Sequence, residues 1–335
     1  MKIAVLGGGS WGTAISVLLS QKNVPVTLWV KRSERAKELS KKRINAQYLP
    51  GIQLPPSITV TADLPLVGDS SVLIGAVPSL GMHDLLDQLS QLNLSRELVE
   101  WVNLTKGIEY DAKQKSLKTM SELVRMRLGV EKIYSLSGPS FAQEVASGSP
   151  TTVVLAGKHI ERTERMQKLF TTDRFRVYTS NDLVGVELGG VFKNIIALAA
   201  GISDGLGFGE NAKGALISRG LIEMTRLGMT MGAKKETFFG LAGLGDMVIS
   251  AMSDQSRNHQ VGRLIGEGNP LDEILGSMKM IAEGVYTTQA IHQYAVAENL
   301  DLPITAGVYD VLYEGADPLD KLSELMSREP KREEI

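Results

Sequence analysis

Within its first fifteen residues the chain passes from the apolar run Ile3-Ala4-Val5-Leu6, through Gly7-Gly8-Gly9-Ser10-Trp11-Gly12, into Thr13-Ala14-Ile15. Strand, tight turn and helix in that order commit the head of the chain to a βα unit, and the G-x-G-x-x-G spacing gives each glycine its own duty. Gly7 permits the turn, Gly9 lets the backbone approach a pyrophosphate, and Gly12 allows the helix to pack closely on the strand. The helix start then offers unpaired N–H groups and the positive end of its dipole to phosphate. Among 34 glycines such a spacing arises by chance, but its placement between a strand and a helix predicts a dinucleotide site.

At 335 residues the chain is long for one hydrophobic core, so two domains are expected. A hydrophobic share of 43%, a charged share of 22% and a net charge of −2 provide no basic excess for nucleic acid or an anionic membrane. With no cysteine there is no disulfide, thiolate metal site or cysteine nucleophile. His83, His159, His259 and His292 stand far apart without ligand spacing, and no metal site is expected. The 13 methionines are scattered as core filler. Lys2 precedes only a short apolar run, so no signal peptide is read. No apolar segment is expected to approach the ~20 residues of a membrane helix, the longest candidate being residues 195–202. These features point to a cytoplasmic enzyme without membrane insertion.

The first half alternates strand-like and helix-like segments. Strands are expected over residues 25–30, 71–77, 98–104 and 132–136, with further ones at 151–155 and 175–178 around a helix at 161–170. Residues 33–42 read as a polar helix with Ser33 as its cap, and residues 45–56, with three prolines, as a loop longer than packing requires. Such alternation predicts a doubly wound α/β domain with a parallel sheet. Beyond Asn181 apolar residues recur at helical spacing over 186–200, 215–227, 260–265 and 287–297, with no convincing strand. The expected organisation is an α/β dinucleotide-binding domain over 1–180 and an all-α domain over 181–335. The last stretch, 327–335, is charged and expected to fray.

Ligands of open α/β sheets bind beyond the carboxyl ends of the strands. Val77-Pro78-Ser79, Thr105-Lys106-Gly107 and Ser137-Gly138-Pro139-Ser140 fall there, and Lys106 reads as a cation aimed at the cofactor cleft or as a surface turn lysine. Gly189-Gly190-Val191-Phe192-Lys193-Asn194 embeds an ammonium and an amide in an apolar helix. Burial without partners is expensive and depresses a lysine pKa, making Lys193 the best general-base candidate, against a snorkelling surface lysine. Asp246, in Gly243-Leu244-Gly245-Asp246, supplies a carboxylate on what reads as a flexible loop, or else a turn aspartate. Ser256-Arg257-Asn258 clusters a hydroxyl, a guanidinium and an amide, and arginine's planar fork suits phosphate. Ala282-Glu283-Gly284 adds a second carboxylate, and residues 201–209 read as an ordered loop between helices. After the second strand, where an acidic residue would mark NAD, stand Lys31-Arg32, which favour a 2′-phosphate and so NADP(H), with NAD(H) tolerated.

Taken together these motifs resemble the bacterial-type NAD(P)-dependent glycerol-3-phosphate dehydrogenases over nearly the whole chain. The resemblance implies a Rossmann domain followed by a helical domain with the active site between them. It implies interconversion of sn-glycerol 3-phosphate and dihydroxyacetone phosphate, a phosphorylated triose, for phospholipid synthesis, by a homodimer. It places the proton acceptor at Lys193 and the substrate contacts at Lys106, Gly138, Ser140, Asp246, Ser256, Arg257 and Asn258. Cofactor contacts fall on Ser10, Trp11, Lys31, Arg32, Lys106, Ala142, Arg257, Ile281 and Glu283, beside Gly7, Gly9 and Gly12. The chain departs from the family pattern after Asp246, reading Met247-Val248-Ile249-Ser250-Ala251 where relatives often carry Thr-Cys. Position 31 varies across the family, so Lys31 supports the phosphate preference only softly. A β-hydroxyacid dehydrogenase would pair its helix lysine with an asparagine one turn away, whereas adjacent Lys193 and Asn194 diverge by roughly 100°. A redox-sensing nucleotide module would need neither the embedded lysine nor the arginine.

Overall fold

The computed structural model describes every residue except Asn23, Asn93, Arg96, Leu98, Lys279, Lys331, Glu334 and Ile335. The strands are β1 (Ile3–Leu6), β2 (Val26–Trp29), β3 (Ile58–Thr61), β4 (Val72–Gly75), β5 (Glu100–Asn103), β6 (Ile108–Asp111), β7 (Ser116–Thr119), β8 (Lys132–Ser137), β9 (Thr151–Gly157) and β10 (Phe175–Ser180). Contacts divide the chain into two compact units, Met1–Lys106 with Met120–Val186, and Gly107–Thr119 with Glu187–Ile335.

The first unit is an eight-stranded sheet in the order β3-β2-β1-β4-β5-β8-β9-β10. From β3 to β8 all neighbours are parallel, the doubly wound arrangement read from the alternation. Side chains of β1 alternate between two cores, as buried strands must. Ile3 and Val5 meet Ile15 and Leu19 of α1 (Ser10–Ser20), Leu39 of α2 (Ser33–Lys42) and Met166 of α6 (Ile160–Phe170). Ala4 and Leu6 meet Leu85 and Leu89 of α3 (Met82–Ser90) and Leu123 of α4 (Met120–Leu128). The parallel run is broken once, where β9 pairs antiparallel with β8. Residues 138–150 hold only the short α5 (Ala142–Ala146), and an antiparallel partner needs no crossover. Strand β3 went unread, although Ile58-Thr59-Val60-Thr61 is β-branched throughout. Ser33 is the first helical residue of α2 and the cap position is Arg32. Leu98, in the strand expected at 98–104, and Lys331, Glu334 and Ile335, in the expected fraying end, lie outside the described residues.

The second unit joins α7 (Leu183–Gly205), α8 (Glu210–Thr230), α9 (Lys235–Phe238), α10 (Asp246–Met252), α11 (Arg257–Gly266), α12 (Leu271–Ser277), α13 (Glu283–Glu298), α14 (Pro303–Tyr313) and α15 (Pro318–Met326) to the β6–β7 hairpin. The hairpin packs on α13, with the Tyr110 and Tyr294 rings edge-on at 6.4 Å. Helix α7 corrects two expectations. At 23 residues it is long and apolar enough to cross a membrane, yet 89% of its most apolar window is buried in the protein, the signature of a core helix. It also runs through Gly201 and Gly205, read as loop, because these glycines let α11 approach backbone to backbone.

Glu223 of α8 is buried and caps α14 from another element. Its carboxylate accepts from Ile304 N at 2.6 Å, Thr305 N at 3.1 Å and Thr305 Oγ1 at 2.8 Å, meeting the orphan donors of the helix start. Burial nevertheless pushes its pKa up to about 7 from an ordinary 4.5. A carboxyl whose pKa rises on folding stabilises the fold fully below its unfolded value and loses that contribution as pH climbs through the folded one. The protein is therefore expected to lose stability between pH about 4.5 and 7 through this group, and Glu223→Gln to flatten that dependence in denaturant titrations. An unchanged pH dependence in the variant would show that Glu223 does not titrate there.

Candidate active site

The carboxyl edge of the first unit's sheet collects most of the residues read as cofactor contacts; Arg257, Ile281 and Glu283 belong to the second unit. Gly7 closes β1 at φ +127°, and a Cβ there would stand 2.5 Å from Ala76 O. A Cβ on Gly12 would stand 1.9 Å from Gly7 O, so helix and turn approach only as glycines. At Gly9 a Cβ would meet nothing within 4 Å, leaving the outer side of the turn open where Ser10 and Trp11 begin α1. Close backbone inside and open space outside fit a dinucleotide pyrophosphate on this helix start.

Lys31 and Arg32 follow β2 on the same edge. Lys31 Nζ lies 2.7 Å from Asp84 Oδ2 on exposed surface, and this pairing, with Gln88, holds the Asp84 carboxyl below its usual range. Lys106 follows β5 on a turn locked by its neighbours. Asn103 Nδ2 donates to Thr105 O at 3.0 Å, Thr105 N donates to Asn103 Oδ1 at 3.2 Å, and Thr105 Oγ1 donates to Val77 O at 2.7 Å. Gly138, at φ +134°, ends β8, Ser140 Oγ donates back to its carbonyl at 2.7 Å, and Ala142 opens α5, which packs on α1.

The second unit holds Lys193, the residue read as catalytic, with the substrate contacts read at Asp246, Ser256, Arg257 and Asn258. Gly189 of α7 faces the segment before α10 so closely that a Cβ would stand 2.5 Å from Ala242 O. That approach sets Asp246 beside Lys193, one turn further along α7. Residues 243–246, expected on a flexible loop, lie instead in the π-helical turn Leu241–Gly245 and at the start of α10, whose first residue, Asp246, is 1% exposed. Lys193 is buried, and its Nζ donates to Asp246 Oδ1 and, at 2.9 Å, to Ser250 Oγ. Ser250 was not read as a site residue, although it lies four residues after Asp246 and so shares its helix face.

The remaining contacts adjoin this cluster. Ser256 caps α11, its hydroxyl accepting from His259 N at 3.3 Å. Asn258 Oδ1 accepts from Gly284 N at 2.9 Å, and a Cβ on Gly284 would stand 2.8 Å from Asn194 O, tying the first turns of α11 and α13 to the Lys193 region. Arg257 is exposed and donates to Ile281 O at 2.7 Å, with the Glu283 carboxylate acting on it electrostatically. Behind them His259 Nε2 stands 2.8 Å from Asp204 Oδ2, which also meets Lys213. This histidine anchors the segment.

Chemically, the first unit offers a glycine turn and helix start that fit a phosphate, with Lys31, Arg32 and Lys106 on the same sheet edge, and the second a buried lysine held by a carboxylate and a hydroxyl. Residues 2–163 match the family model described as NAD-dependent glycerol-3-phosphate dehydrogenase N-terminus, and residues 182–323 match the corresponding C-terminus. A protein of Carboxydothermus hydrogenoformans called glycerol-3-phosphate dehydrogenase NAD(P)+ is 46% identical, over 99% of this chain and 98% of its own. The crystal structure of glycerol-3-phosphate dehydrogenase from Coxiella burnetii superposes with a TM-score of 0.91 at 37% identity, covering 98% of this chain and 99% of that one. With both halves matched and full-length relatives this similar, the chain belongs to the NAD-dependent glycerol-3-phosphate dehydrogenase family.

Proposed function

We propose that this chain interconverts sn-glycerol 3-phosphate and dihydroxyacetone phosphate with NADP(H) or NAD(H), supplying glycerol 3-phosphate for phospholipid synthesis in the cytoplasm. Its assembly as a homodimer rests on the family resemblance alone. The observation that carries the reading is the buried Lys193 ammonium between Asp246 and Ser250. A nicotinamide dinucleotide held at the Gly7–Gly12 turn would supply hydride chemistry at the substrate C2. In reduction Lys193 gives its proton to the C2 oxygen, and the Asp246 carboxylate keeps that proton in place beforehand. In oxidation Lys193 takes the proton back, with Ser250 Oγ holding its nitrogen in line. Arg257 grips the substrate phosphate through its planar fork, and Asn258 holds the α11 start in position through Gly284.

Mixing the protein with NADPH and dihydroxyacetone phosphate, and following the nicotinamide absorbance, tests the reaction directly. Turnover excludes a purely sensing module, and turnover of a β-hydroxyacid instead would exclude the triose phosphate. Lys193→Ala is expected to lose at least ~10²-fold in kcat while keeping cofactor affinity, so near-normal turnover would sink the assignment. Arg257→Ala is expected chiefly to raise KM for the triose phosphate by about tenfold or more; an unchanged KM rules out a phosphate grip.

Cofactor choice turns on Lys31 and its pairing with Asp84. Lys31→Ala is expected to raise KM for NADPH by roughly three- to tenfold and leave NADH within about twofold. Asp84→Ala, which frees the lysine, is expected to lower KM for NADPH. Equal changes for both cofactors would show that Lys31 meets no 2′-phosphate.

A further inference from the structure

Residues 45–56 begin with a buried amide that none of the chemistry above uses. Asn45 is 1% exposed, and its Nδ2 donates to Gly8 O at 3.0 Å and to Thr13 Oγ1 at 2.7 Å. Thr13 Oγ1 in turn donates to Gly9 O at 2.7 Å. On the other side Arg35 of α2 donates to Asn45 Oδ1 at 2.9 Å, which fixes which end of the amide faces the glycines. Arg35 is itself held by Glu38 at 2.9 Å and by the Tyr48 ring, 5.5 Å from its guanidinium carbon.

The local chain is folded to put the amide there. Arg43 ends α2 in the left-handed region at φ 55°, Leu54 N donates to Arg43 O at 2.7 Å, and Ile44 bridges Gln53. Leu49 N donates to Asn45 O at 2.8 Å. The loop that seemed longer than packing requires is thus closed on itself and held against the glycine turn.

Gly7-Gly8-Gly9 has no side chains with which to fix its own peptide planes, and glycine is the residue freest to rotate them. A trans peptide points its C=O and N–H in opposite directions. With the Gly8 carbonyl held toward Asn45, the Gly9 N–H is turned to the opposite side. The Gly9 carbonyl accepts from Thr13 N at 3.0 Å and again from Thr13 Oγ1, so the Ser10 N–H is turned likewise. These are the groups a pyrophosphate on this helix start would use, and fixing them beforehand removes an ordering cost from binding.

We propose that Asn45, acting through the Gly8 carbonyl and Thr13, is a positioning residue that presets these two peptide planes for the cofactor pyrophosphate. This rests on the reading of the glycine turn as the dinucleotide site. Through Arg35 the same device ties the turn to α2, whose start carries Lys31 and Arg32.

Asn45→Asp keeps the shape and the acceptor for Arg35 but replaces the donor facing Gly8 with an acceptor. Thr13→Val keeps the volume and removes the hydroxyl, and Thr13→Ser restores it. Fluorescence titration with NADPH and NADH is expected to show Kd raised about tenfold for both cofactors in the first two variants and restored in Thr13→Ser. KM for dihydroxyacetone phosphate and kcat at saturating cofactor are expected to move by less than about twofold. If Asn45→Asp does not fold, Thr13→Val and Thr13→Ser decide alone. Lower thermal stability with both cofactor Kd values unchanged would make the clamp merely structural and overturn the proposal. Gly9→Val tests the underlying reading separately, since a Cβ at this position enters open space. Wild-type cofactor affinity in Gly9→Val would show that the dinucleotide binds elsewhere, and both readings would then fall.

Discussion

A buried ammonium must be paired, and the second unit is arranged around that requirement at Lys193. An unpartnered charge in an apolar helix costs several kcal/mol, so Lys193 is tolerable on α7 only with Asp246 and Ser250 in place. Bringing them there needs Gly189 on α7, which lets the segment before α10 come within van der Waals range of the helix backbone. It also needs the π-helical turn that makes Asp246 the first residue of α10.

The first unit meets a different constraint. Phosphate recognition by backbone N–H groups calls for a turn without side chains, and such a turn is soft. Packing Gly7 against Ala76 and Gly12 against Gly7 removes part of that softness from below, while Asn45 and Thr13 remove it from the side. Lys106 is treated similarly, its turn tied to Val77 by Thr105. In both places the residue with the chemistry is unremarkable in conformation, and polar neighbours two to forty residues away set its position.

Periodicity made β1, β2, β4, β5, β8, β9 and β10 legible, with α7, α8, α11 and α13 after Asn181, because buried strands and amphipathic helices write their environment into a short stretch of residues. Strand β3, the β6–β7 hairpin and the reversed direction of β9 escaped: β3 and β9 take their places by pairing with β2 and β8, and the hairpin strands carry no long alternation of their own. Ser250 shows the intermediate case. Its helical offset from Asp246 was present in the sequence, but its value depended on knowing that residues 241–252 form one continuous helical run.

By itself the sequence determined the glycine turn, the alternating first half, the helical second half and an embedded lysine, since each is a local pattern whose meaning survives without a partner. Only the tertiary structure decided that Asp246 and Ser250 are the groups that hold that lysine. It likewise decided that Lys31 is shared with Asp84, and that Asn45 governs a turn more than thirty residues away. These are contacts between side chains far apart in the chain. Their geometry is set by how closely backbones can approach, and no pattern within one segment encodes it.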